Sequence, residues 1–136
     1  MAKQHWLVKQ EPTKYSFDDL LADQRTMWDG VRNFQARNNL KAMRAGDAVL
    51  FYHSNVGQDV VGLCEVVKEA YPDPSVPDGP WVVVDLAAKK KLKRSVTLEQ
   101  IKRTPSLKDV ALIRQSRLSV MPLSKAEFDA ILKLAT

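Results

Sequence analysis

Apolar and polar positions along this chain of 136 residues follow a period of two in some stretches and a helical period in others. Runs rich in Val, Leu, Phe, Tyr and Trp that are bounded by Gly, Pro, Asp and Asn predict strands. Such runs cover residues 6–8, 47–55, 60–71, 81–88 and 118–121. The three middle runs follow one another closely, so we expect them to form a meander.

Helices are predicted between and after these strands by capping residues and helical spacing. Ser16, Thr97 and Ser124 each stand where a side chain would cap the first turn of a helix. A further helix is predicted after a turn at residues 28–30, with Gly46 placed to end it. Five strands and several short helices together predict an α/β protein of the α+β type, built on a small, strongly curved sheet or half-open barrel. The apolar stripe of the helix after the turn consists of Ala36, Leu40 and Met43.

The composition is that of an ordinary globular protein, with 45% hydrophobic and 27% charged residues, and no Pro/Gly/Ser-rich linker divides the chain. We therefore expect residues 1–136 to fold as a single domain. Lys and Arg number 21 against 16 Asp and Glu, and the resulting net charge of +5 suits transient contact with phosphate groups. Many proteins without nucleic-acid partners share such a charge, so it does not decide the function alone.

Other kinds of chemistry find little support in the sequence. Cys64 is the only cysteine and shows no ligand spacing with His5 or His53, so neither a disulfide nor a metal site is expected. No Gly-rich phosphate loop is present, so no ATP or dinucleotide cofactor is expected. The first residues lack an apolar stretch long enough for a signal peptide or membrane span. Together with the single cysteine, this predicts a cytoplasmic protein without membrane association.

Aromatic, guanidinium and amide side chains are concentrated in residues 27–40. Trp28 lies beside a glycine turn, and a helix would place Asn33 and Arg37 one turn apart on the same side. Indole, guanidinium and amide groups stack on flat heterocycles and read their edges, which favours a pocket for a single nucleobase. The alternative is a solvated helix flank beside the core, which needs no ligand.

A second group of polar residues ends the strand at residues 47–55. Tyr52, His53, Ser54 and Asn55 follow an apolar run, and we expect them to open onto the same hollow. They could instead satisfy nearby backbone groups at a strand end. His53 and Ser54 are neighbours on a strand and point to opposite faces, so they are not expected to act together as base and nucleophile. We therefore assign no catalytic residue.

Two basic stretches are candidates for phosphate contacts. The run at residues 89–94 begins with Lys89 and Lys90. Lysines in such a run either contact a nucleic-acid backbone or protect a solvated strand end from aggregation. Arg114 and Arg117 precede the last predicted strand, where they would either line the rim of the hollow or form surface ion pairs.

Several motifs, in the same order and over nearly the whole chain, resemble the EVE domain family. They lie at residues 6–12 (WLVKQEP), 28–33 (WDGVRN), 35–38 (QARN), 46–47, 51–55 (FYHSN), 71–74 (YPDP) and 117–120 (RLSV). Resemblance to this family implies a PUA-like fold, in which a mixed sheet is curved into a pseudo-barrel with short flanking helices, related to YTH and ASCH domains. It also implies a pocket for a modified base, with 5-methylcytosine and its oxidised forms in DNA as the best candidates.

The resemblance further implies which residues form the pocket. One wall would hold Lys9 to Glu11 together with Trp28 and Asp29, and it would face Tyr52 to Asn55. The complete predicted base-binding pocket consists of Lys9, Gln10, Glu11, Trp28, Asp29, Val31, Asn33, Asn38, Tyr52, His53, Ser54, Asn55, Leu118 and Ser119. The predicted phosphate contacts are Arg32, Arg37, Arg114, Arg117, Lys89 and Lys90.

We therefore predict a non-catalytic module that binds DNA or RNA and takes a modified base, turned out of its stack, into an aromatic and polar pocket. Two alternatives remain open. An RNA-binding accessory protein of the PUA type would recognise structured RNA by shape. An enzyme acting on nucleic acid would need His53 or Glu11 as acid or base. The sequence does not decide between DNA and RNA, and the oligomeric state is unknown, with a monomer favoured.

Overall fold

The computed structural model describes residues 3–136, and the elements below belong to this part of the chain. The strands are β1 (His5–Gln10), β2 (Arg25–Trp28), β3 (Ala48–His53), β4 (Asp59–Pro72), β5 (Val82–Thr97) and β6 (Val120–Leu123). The helices are α1 (Phe17–Asp23), α2 (Phe34–Ala42), α3 (Leu98–Lys102), α4 (Ala111–Arg114) and α5 (Lys125–Leu134), with a 3-10 turn at Pro105–Leu107. No helix within residues 3–136 is both long and apolar enough to span a bilayer.

The six strands of the described residues form one mixed sheet in the order β2-β5-β4-β3-β1-β6, and this sheet does not close into a barrel. β1 and β3 run parallel, whereas the other neighbouring strands are antiparallel. The long strands β4 and β5 pair through several register irregularities, which bend the sheet and increase its twist. The predicted α+β architecture, with short helices around a curved sheet, is confirmed.

Two strands differ from the sequence-based expectation. The pattern predicts five strands, but Arg25–Trp28 forms an additional edge strand, β2, which pairs with β5. It escapes prediction because Trp28 is its one buried residue, so it lacks an apolar run. β5 also continues to Thr97 and therefore contains the basic run at residues 89–94. Leu92 and Val96 are buried and anchor this extension to the core, while the lysines stay exposed.

The helix caps follow the sequence closely. Ser16, Thr97 and Ser124 each form the predicted cap, and in each case a capping box satisfies two backbone N–H groups of the helix start. The predicted helix end at Gly46 is wrong. α2 ends at Ala42, because the chain becomes extended there, and Gly46 supplies a φ of +95° in the tight turn that follows.

The centre of the sheet is covered on both faces. On one face α1 packs through Phe17, whose ring contacts Phe51 of β3 edge-on at 5.4 Å. The same ring lies so close to Gly62 of β4 that a Cβ at position 62 would collide with it. On the opposite face α5 packs against β1. The strand centres are therefore buried on both sides, which explains their continuous apolar runs.

A buried carboxylate joins the amino ends of β1 and β3. Asp47 is 2% exposed, and its two oxygens accept hydrogen bonds from the Gln4 N–H at 3.0 Å, the Trp6 indole N–H at 2.9 Å and the Arg44 N–H at 2.9 Å. A buried charge is tolerated when hydrogen bonds replace its lost hydration. Asp47 therefore ties the start of β1 to the turn between α2 and β3.

Candidate functional site

Polar side chains gather where the parallel strands β1 and β3 end. The register pairs Lys9 with Tyr52 and Gln10 with His53. Neighbouring residues on a strand point to opposite faces, so Lys9 and Tyr52 lie on one face of the sheet, while Gln10 and His53 lie on the other. Lys9 and Gln10 accordingly line two different hollows. The prediction of a single wall containing both residues is corrected by this alternation.

The hollow on the Gln10 side, which we call the Trp28 hollow, has a volume of about 260 Å³. Trp28 forms its floor, is 5% exposed and contacts Phe51 edge-on at 5.4 Å. Trp28 is therefore a fixed part of the core that presents a small area of its indole, and not the open stacking face that the sequence suggests. The hollow is lined by Gln10, Lys14, Tyr15, Thr26, Met27, Trp28 and Asp29.

The Trp28 hollow contains polar groups without partners in the protein. The Gln10 Oε1 atom accepts the Glu11 N–H at 3.0 Å, and its amide N–H groups have no acceptor within residues 3–136. Asp29 is exposed at the rim, and within the same residues its carboxylate forms neither a hydrogen bond nor an ion pair. A carboxylate acceptor and amide donors thus line the same hollow as the Trp28 indole, a set of groups suited to the edge of a base.

A second hollow, of about 150 Å³, surrounds the Lys9 ammonium group and is called the Lys9 hollow. The Lys9 Nζ atom donates to the Ser116 carbonyl at 2.7 Å and lies 5.8 Å from the centre of the Tyr52 ring. It has no carboxylate partner within residues 3–136, and partial burial lowers its pKa. Burial also raises the pKa of Tyr52 to about 12. The hollow is lined by Lys9, Tyr52, Ser54, Asn55, Gln58, Leu98, Leu112 and Ser116.

A third concavity, the arginine groove, has a volume of about 330 Å³ and shares Ser116 with the Lys9 hollow. Arg117 lines it and has no ion-pair partner among the described residues. Arg114 also lines it and pairs with Asp109 at 2.9 Å, but both side chains of that pair are more than half exposed. The groove is lined by Asn33, Gln35, Arg114, Gln115, Ser116, Arg117 and Leu118. Together, the groove and the Lys9 hollow form a basic path suited to phosphate groups.

Residues 4–134 match the family model of the EVE domain. The chain belongs to the EVE domain family. Thymocyte nuclear protein 1 from Homo sapiens is 39% identical in an alignment that covers 96% of this chain and 73% of the human protein. The Mus musculus protein of the same name is 41% identical with the same coverage. The predicted family membership is thus confirmed.

Solved structures share the fold of this EVE domain. A Rhodopseudomonas palustris protein that is 44% identical superposes with a TM-score of 0.93, covering 97% of this chain and 92% of its own. The human THYN1 protein, solved in complex with DNA containing 5-methylcytosine, is 37% identical with a TM-score of 0.91 and 98% coverage of both chains. An ASCH protein from Zymomonas mobilis is 11% identical with a TM-score of 0.59 over 98% of this chain and 96% of its own. This last likeness supports the predicted PUA-like fold.

Two residues of the predicted base pocket accept backbone N–H groups at the starts of helices in this EVE domain. The His53 Nε2 atom accepts the Phe17 N–H at the start of α1 at 3.1 Å, and burial lowers the pKa of His53. His53 lines none of the three hollows. The Asn33 Oδ1 atom accepts the Ala36 N–H at 2.9 Å and so caps α2, while the residue still lines the arginine groove.

Among the other predicted pocket residues, Leu118 lines one of the three hollows, whereas the structure brings none of Glu11, Val31, Asn38 and Ser119 into them. Asn38 is exposed and accepts hydrogen bonds from the neighbouring Arg37 guanidinium, the shorter at 2.8 Å. Glu11 contacts Asn55 and pairs with Lys14 at 3.0 Å, and the Lys14 contact lowers the pKa of Glu11. Val31 is buried in the core, Leu118 lines the arginine groove and the Ser119 carbonyl accepts the Lys9 N–H at 2.9 Å.

The predicted phosphate contacts divide into engaged and open cations. Arg32 pairs at 3.1 Å with the fully buried Asp73 and so secures the turn between β4 and β5. Burial opposes ionisation of Asp73, but hydrogen bonds from Ser75 and Arg32 outweigh it and lower its pKa. Lys89 lies 3.5 Å from Glu65, and Lys90 lies in a separate groove beside Leu132 and Ala135. Arg117 is the predicted cation that lines the site without such an ion pair in the described residues.

Several lining residues escape the sequence analysis. Thr26 and Met27 belong to the unpredicted strand β2, and recognising that strand would have placed them beside Trp28. Tyr15 precedes the cap of α1 and lines the same hollow, with its hydroxyl donating to Asp23 at 2.8 Å. Ser116 takes part through its backbone carbonyl, and no side-chain pattern signals such a role. Among residues 3–136, no group of three or more His, Cys, Asp or Glu side chains could hold a metal ion.

Proposed function

We propose that this EVE domain binds DNA and recognises a modified cytosine, 5-methylcytosine or one of its derivatives, that is turned out of the duplex into the Trp28 hollow. The observation that carries the proposal is the combination, in one hollow, of the unpaired Asp29 carboxylate with the free amide donors of Gln10. A relative with the same fold, human THYN1, has been solved with DNA containing 5-methylcytosine.

The polar groups of the Trp28 hollow complement the pairing edge of cytosine. Cytosine presents an exocyclic amino donor beside two acceptors, its ring nitrogen and its carbonyl oxygen. Asp29 can accept from the amino group while the Gln10 amide donates to an acceptor. A well-formed pair of such bonds contributes about 1–3 kcal/mol of discrimination between bases. Base recognition therefore rests more on these hydrogen bonds than on stacking against the mostly covered Trp28.

The methyl group of 5-methylcytosine would add a smaller contribution. Tyr15, Met27 and Trp28 line the hollow, so it offers some apolar surface for a methyl group. Burying one methyl group is worth about 0.8 kcal/mol, which corresponds to a preference of about fourfold. We therefore expect modest selectivity for the methylated base and clear selectivity for cytosine over other bases.

The basic path supplies attraction for the DNA backbone. Lys9 is a partly buried cation without a carboxylate partner in the described residues, and Arg117 is an open cation in the adjoining groove. A phosphate oxygen would provide each of them with a negatively charged acceptor, which the described residues do not supply. Such contacts release counterions, so binding should weaken steeply as salt rises.

The proposal is for binding without catalysis. An enzyme acting on nucleic acid would use His53 or Glu11 as acid or base. His53 already accepts the Phe17 N–H through Nε2, and Glu11 is paired with Lys14. Both groups thus have partners within the protein, which supports the role of a binding module.

A binding titration tests this function. Fluorescence anisotropy of labelled duplexes with one 5-methylcytosine, one cytosine or no central cytosine would be measured with wild type, Gln10→Ala and Asp129→Ala. Asp129 is an exposed carboxylate on α5 that pairs with Lys125, and it serves as a surface control for the base preference. We expect wild type and Asp129→Ala to prefer the cytosine-containing duplexes and Gln10→Ala to lose that preference. Equal binding of all duplexes by wild type, or tighter binding of a structured RNA of the same length, would contradict the proposal.

A further inference from the structure

An exposed aromatic side chain stands beside the arginine groove. Phe34, the first residue of α2, is 58% exposed, and its ring stacks on Trp81 with a centroid distance of 4.9 Å and an interplanar angle of 29°. The Arg37 guanidinium lies 4.9 Å from the Phe34 ring centre, and that of Arg32 lies 5.8 Å from the Trp81 ring centre. We call these four residues the aromatic ridge.

The exposure of Phe34 is not needed to hold α2 in place. Ala36 and Leu40 are fully buried and provide the packing face of the helix. The ridge is nevertheless firmly supported, because Arg37 also donates to the Pro80 carbonyl at 3.5 Å and Arg32 is held by the buried Asp73. Phe34 and Trp81 thus form a contiguous aromatic surface, and contiguous exposed apolar surface is typical of an interaction site.

The position of the ridge links it to the proposed DNA site. Asn33 and Gln35, the neighbours of Phe34 on either side, both line the arginine groove. The segment from residue 29 to residue 33 connects the ridge directly to the rim of the Trp28 hollow. Phe34 therefore lies next to any duplex that contacts the groove, five residues along the chain from Asp29 at the rim of the hollow.

We propose that the aromatic ridge is a wedge, led by Phe34, that contacts the base step of duplex DNA left open when the modified base is turned out. This inference rests on the proposed function. Apolar side chains that enter a base step offset part of its unstacking and hold the duplex open. Aromatic rings suit any base because every base has a flat face. The Arg37 guanidinium, which has no carboxylate partner in the described residues, can contact a phosphate beside the step.

The experiment follows the opened base step by fluorescence. A duplex carries 2-aminopurine beside the 5-methylcytosine, and its emission rises when the step unstacks. Wild type, Phe34→Ala, Phe34→Trp and Leu21→Ala are compared at saturating protein, and affinities are measured in parallel. Leu21 is a 37% exposed apolar residue on α1 and is the control. Thermal unfolding of each variant verifies that the fold is kept.

We expect Phe34→Ala to lose most of the fluorescence rise and to bind the duplex about tenfold more weakly, while Phe34→Trp and Leu21→Ala behave like wild type. On single-stranded DNA with the same base, where no step must be opened, the Phe34→Ala defect should be smaller than twofold. A Phe34→Ala variant equal to wild type on the duplex would overturn the wedge and leave the proposed function standing. Wild type that does not bind the duplex would overturn both.

Discussion

The two ends of the parallel strand pair β1 and β3 differ in whether their polar groups have partners within the protein. At the amino end, Asp47 is buried, and its oxygens accept three hydrogen bonds, including one from the Trp6 indole. At the carboxyl end, Lys9 and Asp29 have no ion-pair partner within residues 3–136, and each lines a hollow. We call these regions the closed end and the open end.

This difference indicates which polar groups can form new interactions with a ligand. Polar groups at the closed end are satisfied by the protein itself, so their contribution is to the stability of the fold. At the open end, Lys9 and Asp29 have no ion-pair partner and the Gln10 amide donors have no acceptor within the described residues. A ligand with complementary groups can supply those partners. Function should therefore respond to changes at the open end, and stability to changes at the closed end.

The largest effect is expected at the closed end. Asp47→Ala would leave the Trp6 indole N–H and two backbone N–H groups without their charged acceptor. Hydrogen bonds to charged groups contribute about 1.5–3 kcal/mol each and are not additive, so the free energy of unfolding should fall by about 3 kcal/mol or more. Urea denaturation measures this loss. A loss below about 1 kcal/mol would show that Asp47 does not hold the closed end together.

The next largest effect is expected for Asp29→Ala at the open end. Asp29 has no partner in the described residues, so the free energy of unfolding should change by no more than about 0.5 kcal/mol. Affinity for duplex DNA containing 5-methylcytosine should nevertheless fall by about tenfold, because the acceptor for the amino group is lost. Anisotropy titration and urea denaturation of the same preparation test both statements. Reduced stability with unchanged affinity would reverse the assignment of the two ends.

Lys9→Met should weaken DNA binding less than Asp29→Ala does and should leave the stability of the fold nearly unchanged. Burial lowers the pKa of Lys9, which means that the charged form is destabilised by lost hydration. Methionine fills a similar volume without that charge. The lost hydrogen bond to Ser116 offsets part of the gain, so stability should stay within about 1 kcal/mol of wild type. Binding should weaken several-fold for methylated and unmethylated duplexes alike. If Lys9→Met changed selectivity instead, Lys9 would contact the base and not a phosphate.

The smallest effect is expected for Arg117→Ala. Removing one phosphate contact should weaken binding a few-fold at moderate salt and reduce the slope of log affinity against log salt by about 1. Arg103→Ala is the control. Arg103 is also an exposed arginine, but it follows α3, pairs with Glu99 of that helix and lines none of the three hollows. An unchanged slope for Arg117→Ala would mean that the arginine groove does not contact the backbone.

The parts of the fold that depend on local residues could be predicted from the sequence. The caps at Ser16, Thr97 and Ser124 and the meander of β3, β4 and β5 depend on short patterns of residues. β2 could not be predicted in this way, because its position depends on pairing with the distant strand β5.

The site was harder to predict because its geometry depends on register and packing. Lys9 and Gln10 are adjacent in sequence, but the pairing of β1 with β3 sends them to opposite faces. The sequence predicts an open face for Trp28, but the indole is packed in the core, where it contacts Phe51 edge-on. Which polar groups remain unpaired likewise depends on contacts between distant elements, as the hydrogen bond between His53 and Phe17 shows.

The most direct test of the open and closed ends uses the indole N–H signals of Trp6, Trp28 and Trp81 in a two-dimensional NMR spectrum. Trp6 donates its indole N–H to Asp47 at the closed end, whereas Trp28 forms the floor of the hollow at the open end. Titration with a duplex containing one 5-methylcytosine should shift or broaden the Trp28 signal and leave the Trp6 signal in place. Saturated binding with an unchanged Trp28 signal would contradict the proposed base site.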